Sequence, residues 1–154
     1  MYSILLFTHS CLRWVLLFVL LYSLYRFLTG KIRNNTFNKT DHIFSQLTDK
    51  IIQLQLVIGI ILYIVSPLLS GFWNQEEKFS EYTDQQFFGI IHVIMMFIAV
   101  ALISIGISVS KRELNDSLKY KKLIIFFGLA LAIILIAIPW PFSPLSNRPY
   151  IRTF

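Results

Sequence analysis

The sequence predicts an all-α integral membrane protein: an up-down four-helix bundle with both termini outside and its basic loops in the cytoplasm. Three observations carry that expectation. The first is composition: 56% of the 154 residues are hydrophobic and only 14% are charged, against about 25% charged in an ordinary soluble domain. The second is pattern. Four apolar runs, near 2–29, 50–66, 87–110 and 122–138, each reach or approach the ~20 residues that cross ~30 Å of hydrocarbon. They are too long, and too little alternating, for the strands of a barrel. The third is the placement of charge. The first loop and its flanks carry Arg26, Lys31, Arg33, Lys39 and Lys50 against Asp41 and Asp49, and the third loop carries Lys111, Arg112, Lys119, Lys121 and Lys122 against Glu113 and Asp116. The second loop holds Lys78 against Glu76, Glu77, Glu81 and Asp84. The positive-inside rule puts loops one and three in the cytoplasm. Arg148 and Arg152 in the tail run against that orientation.

The whole chain, 1–154, reads as one transmembrane domain. The first helix, approximately 2–29, is expected to be retained rather than cleaved. No basic residue precedes its apolar stretch, Arg13 interrupts it, and no small-residue cleavage site follows. Gly30 is the expected left-handed stop. The second helix, approximately 41–66, takes Thr40 as its expected N-cap. Its first turns form an amphipathic ledge, with Ile43, Phe44 and Leu47 on one face at the interface. Ser66-Pro67 ends it. An outer loop, 67–84, is acidic and aromatic, with Phe72, Trp73, Phe79 and Tyr82. Thr83 or Asp84 then caps the third helix, approximately 85–110. The fourth, approximately 118–138, starts from Asn115, Asp116 or Ser117 and stops at "PWPF", where Trp140 anchors an outer C-terminal tail, 139–154. Small residues predict close helix packing at Gly128 and Ala132, and at Ala101, Ser104 and Ser108.

Charge and motifs exclude several functions. The net charge of +6 needs no nucleic acid; it marks topology and contact with anionic membrane lipids. Cys11 is alone, so no internal disulfide forms. No P-loop, paired carboxylates or hydrolase constellation is present.

The informative residues are polar ones at membrane depth. His9 and Arg13, within "THSCLRW", are four apart and share a helix face. Arg13 lies roughly 15 Å along its helix, at about 1.5 Å per residue. Burying it costs ~3 kcal/mol or more on insertion scales, and it cannot shed its proton. Its expected partner is a lipid phosphate, a ligand carboxylate or quinone oxygen, or a glutamate of the outer loop. His9 and His92 fall at similar depth on the first and third helices. Two imidazoles at one level can hold a b-type haem, and a neighbouring Arg13 suits its propionates. Gly89, one turn before His92, would let a flat ring approach the backbone; Met96 (or Met95) supplies soft packing or an alternative axial ligand. The plainer alternative is that each histidine hydrogen-bonds a neighbouring helix. Gln53 and Gln55 lie on different faces of the second helix, as helix-bridging amides or as contacts for a quinone headgroup. His42 is expected in solvent.

"THSCLRW", "LQLVIGIILYIVSP", "IIHVIMM" and "IPWPF", in that order, resemble a family of small bacterial four-span proteins commonly labelled cytochrome b-like. The resemblance covers almost the whole chain. It implies a multi-pass protein of the bacterial inner membrane, associated with haem or with respiratory electron transport. By position His9, Arg13 and Trp14 match the first motif, Gln55 and Gly59 the second, His92 the third, and Pro139, Trp140 and Pro141 the last. Relatives often carry histidine where this chain has Gln53, so either the ligands here are His9 and His92 or this member has lost the site. Function therefore stands between an electron-transfer protein binding haem b near the outer leaflet, with quinone as a further cofactor, and an accessory or scaffold subunit of a larger respiratory or other membrane complex. An enzyme of porphyrin metabolism is a third reading.

Overall fold

A computed structural model describes residues 2–70, 84–143, 146, 148 and 149. They form four long helices and, among the described residues, no strand: α1 Tyr2–Ile32, α2 Lys39–Val65, α3 Asp84–Lys111 and α4 Asp116–Ala137. All four are long and apolar enough to cross a membrane, the pattern of a multi-pass membrane protein. Much of the outer loop, including Phe72, Trp73, Phe79, Tyr82 and the expected cap Thr83, lies outside the described residues, as does the tail from Tyr150 onward.

Consecutive helices run antiparallel. Tyr2 meets Ser66 and Arg26 meets Asp41 across α1 and α2. Tyr63 meets Gly89 and Asp49 meets Ser104 across α2 and α3. His92 meets Ala137 across α3 and α4. α1 also packs along α4, which closes a ring and leaves α1 and α3 on one diagonal. The outward surface is apolar, with Phe18 72% and Ile64 74% exposed. A soluble monomer rarely tolerates such a belt.

Local chemistry sets the helix ends, and it corrects two expectations. Gly30 does not stop α1; it is buried inside the helix. The left-handed residue is Asn34, at φ 50°. Asn35 N–H donates to the Gly30 carbonyl at 2.9 Å and Asn34 N–H to Lys31 at 3.3 Å, the bond pair of a Schellman stop. Asn38, not Thr40, caps α2. Its side chain accepts from Asp41 N–H at 3.1 Å, while the Asp41 carboxylate accepts from Asn38 N–H at 3.1 Å. That reciprocal box satisfies two otherwise orphaned donors. Asp84 is the first residue of α3, its carboxylate held by Ser146 and Arg148. Asn115 caps α4, as one of its expected candidates.

Small residues pack where the sequence reading did not look. A Cβ at Gly128 would meet nothing within 4 Å, and Ala132 is exposed. Ala101 and Ser108 are exposed too; of that trio only Ser104 bridges helices, donating to Asp49 at 2.7 Å. The close approaches are at Gly30, beneath the Tyr120 ring, and Gly106, beneath Phe126.

The core continues along α4 through Ile134 and Ile138, but it is densest in the half of the bundle nearest the two short links. Leu20, Phe27, Ile103, Leu123, Phe127 and Ala130 are all 0% exposed there. Ser23 and Thr48 share a 2.9 Å hydrogen bond within it. At its end sits Asp41, 1% exposed, rather than solvated as a loop-flanking residue. Arg26 grips one of its oxygens at 3.0 and 2.8 Å, and Tyr120 donates to the other at 2.6 Å. This lock ties α1, α2 and α4. The ledge expected at the start of α2 is split: Ile43 and Leu47 face outward, but Phe44 turns onto Tyr22, ring centres 4.6 Å apart.

Candidate functional site

The other half of the bundle is hollow. A cavity of about 460 Å³ lies among all four helices, lined mainly by Leu, Ile, Val and Phe. Each helix contributes a stripe at three- and four-residue spacing, as one face of a helix must. α1 offers Tyr2, Leu6, His9, Arg13 and Leu16. α2 offers Gln55, Gly59 and Tyr63, and α3 offers Phe88, His92, Met96 and Val100. Ile134 and Ile138 close the side of α4.

The structure therefore brings His9, Arg13, His92 and Met96 together around one space. His9 and His92 come from the diagonal helices α1 and α3, so they approach it from opposite sides. The His92 Nδ1 lies 2.9 Å from the Ala137 carbonyl. That contact makes Nδ1 the protonated nitrogen and leaves Nε2 with a lone pair. The Phe87 and Phe88 rings flank the imidazole, at 5.8 and 5.9 Å between centres. The His9 Nδ1 is buried and has no hydrogen-bond partner among the described residues. Its ring lies against α2 at Gly59, where a Cβ would come 3.3 Å from Cε1. Arg13 is half-buried; its guanidinium reaches the Ser10 hydroxyl at 3.4 Å and sits 5.7 Å from the Trp14 ring centre.

Gln55, 6% exposed, donates its amide N–H to the His9 carbonyl at 3.0 Å. Its Oε1 is buried, without a partner among the described residues. The amide cannot be reversed, because Oε1 would then face a carbonyl oxygen. Gln53 is exposed on the opposite side of α2 and takes no part.

Gly89 departs from its expected role. It is buried but does not line the cavity; its carbonyl accepts from the Tyr63 hydroxyl at 3.1 Å. The cause is a π-helical turn, Phe87–Ile91, closed by the His92 N–H on the Phe87 carbonyl. Such a wider turn rotates each residue by less than an α-helix does. Phe88 and His92, four apart, stay in line, while Gly89, three before His92, swings toward α2. Gly59 is the glycine at the site. Met95 is likewise absent from the lining, leaving Met96 as the methionine there.

Sequence reasoning passed over Tyr63 and undervalued Gly59. Both continue the four-residue stripe that starts at Gln55, and that spacing was the available signal. Trp140, expected as an interface anchor, packs edge-on against Trp14 and stacks on Phe142. Among the described residues no group of three or more His, Cys, Asp and Glu could enclose a bare metal ion. Comparison with protein-family models, with curated proteins and with solved structures gives no match.

Proposed function

We propose that the chain is a haem-b-binding electron-transfer protein of a bacterial inner membrane, with both termini outside and the cofactor toward the outer leaflet. One observation carries the reading: two histidines and an arginine from diagonal helices line a single apolar cavity. The residues fit the group. His92 is oriented through Nδ1, leaving Nε2 as its donor, and a ligating histidine commonly has its other nitrogen fixed this way. His9 brings a buried ring nitrogen that has no partner among the described residues. Arg13 supplies the fixed cation that a propionate needs. Met96 packs beside His92 on the next turn.

Haem supplies reversible one-electron chemistry when bound. The chain's own residues hold it and tune it. The apolar walls lower the local dielectric, which strengthens the attraction between Arg13 and an anion beside it. Gly59 lets the His9 imidazole approach α2.

The orientation rests on charge. Both short links lie at the core end of the bundle, with Lys31, Arg33, Lys39, Lys111, Arg112 and Lys119 at or beside them. The positive-inside rule turns that end to the cytoplasm, and the cavity outward. Haem-replete expression followed by spectra of the oxidised and reduced protein tests the cofactor.

Gln55 favours a second reading. Its buried Oε1 has no donor among the described residues, and a quinol hydroxyl would supply one in the same space. Organic extraction of the purified protein separates the two: a quinone in the extract of a colourless protein supports the second.

A further inference from the structure

At the opposite end of the bundle from the cavity lies a polar cleft of about 330 Å³, where α2, α3 and α4 meet. Each of the three helices brings one lysine to it: Lys39 from α2, Lys111 from α3 and Lys119 from α4. Asn38, His42, Ser45 and Ser110 complete the polar lining. Phe37 and Ile107 supply apolar wall.

The nearby carboxylates cancel only part of this charge. Asp41 is turned into the bundle, committed to Arg26, Tyr120 and the Asn38 N–H. Asp116 pairs with Lys119 at 2.7 Å. Glu113 pairs with Lys122, away from the cleft. Three lysines therefore face one engaged carboxylate, in a space that a tetrahedral oxyanion with its ester substituents can occupy. Like charges converging from three helices repel one another unless an anion sits among them.

We infer that this cleft is a binding site for a phosphate group. It is independent of the cofactor reading, because it shares no residue with the cavity. Its place argues for the phosphodiester of a membrane phospholipid. It opens where four apolar helices end, beside the outward-facing Ile43, Leu47 and Leu118. A headgroup seated there leaves its acyl chains against the exposed flank of α2. Basic pockets between helices on the cytoplasmic side bind acidic headgroups in this way.

The test uses the full chain, purified in detergent and stripped of native lipid. Short-chain phosphatidylglycerol, phosphatidylcholine and inorganic phosphate are titrated separately, with bound species read by native mass spectrometry. The expected result is a phosphatidylglycerol adduct at least tenfold tighter than that of phosphatidylcholine. The variant Lys39→Gln, Lys111→Gln, Lys119→Gln should lose it by tenfold or more. A control removing equal charge at the same end, Arg33→Gln, Arg112→Gln, Lys121→Gln, should keep it. Five of the six are exposed, and Lys119 is half-buried and paired with Asp116, so circular dichroism of both triple variants checks that each keeps its helices. Inorganic phosphate competing at equal affinity would keep the site and assign it to free phosphate. Equal loss in both triple variants, or no preference for any phosphate species over phosphatidylcholine, overturns the proposal.

Discussion

The side-chain amide of Gln55 donates to the main-chain carbonyl of His9 at 3.0 Å, across the α1–α2 interface. A carbonyl inside a helix already accepts from the residue four positions on, so Gln55 adds a second bond beside the histidine. It holds the His9 segment against α2 at the level of Gly59. Gln55→Leu should cost roughly 0.5–2 kcal/mol, the range for interhelical hydrogen bonds in membranes. Unfolding in mixed micelles reads that loss. If cofactor retention falls further than stability does, the bond positions His9; a fall in stability alone would limit Gln55 to packing.

The Arg26–Asp41–Tyr120 lock predicts a larger effect. Asp41→Ala leaves Arg26 and the Tyr120 hydroxyl facing an empty place, and breaking a buried ion pair costs about 3–5 kcal/mol. Because the Arg26 side chain is 24% exposed, the low end of that range is expected. Tyr120→Phe removes one hydrogen bond and should cost about 1–2 kcal/mol. A double-mutant cycle should find the two coupled; additive losses would contradict a shared lock.

Two glycines should respond oppositely to alanine. At Gly30 a Cβ would fall 2.5 Å from the Tyr120 ring. That ring is 1% exposed and held by Asp41, so overpacking should cost about 1–3 kcal/mol. At Gly128 a Cβ meets nothing within 4 Å. Gly128→Ala should be neutral or stabilising, by up to about 1 kcal/mol of helix propensity. Thermal unfolding of both variants in one detergent checks the pair.

Gly59→Leu fills the cavity beside His9. The larger side chain displaces the His9 ring, whose Cε1 would already lie 3.3 Å from a Cβ. Stability should change little, because the site borders empty space, while cofactor content should fall at least tenfold. Pigment-to-protein ratio after matched expression measures it. An unchanged ratio would move the ligand site away from α2.

The helices were legible because apolar run length and breaker residues act locally. Ser66-Pro67 and Pro139 stop helices through their own backbone chemistry, and α2 and α4 end where those residues stand. The convergence of His9, Arg13 and His92 was legible through depth, since distance along a helix converts directly to level. Other features depend on the tertiary partner. Gly30 reads as a stop until Tyr120 is known to cover it, and Gly128 reads as an interface until α4 is seen to turn it outward. Asp41 counts only as one charge of the first loop and its flanks until Arg26 and Tyr120 close on it. The π turn before His92 escaped because nothing in "FFGII" marks it, and it moved Gly89 off the cavity.

The most direct test of the cofactor site is the reduced-minus-oxidised absorption spectrum of the full chain purified after haem-replete expression. The account predicts the sharp visible bands of a six-coordinate haem at close to one per chain. Those bands should be lost from His9→Ala and from His92→Ala, while both variants keep their helical content by circular dichroism. A colourless wild-type protein, or a spectrum that survives removal of both imidazoles, would contradict it.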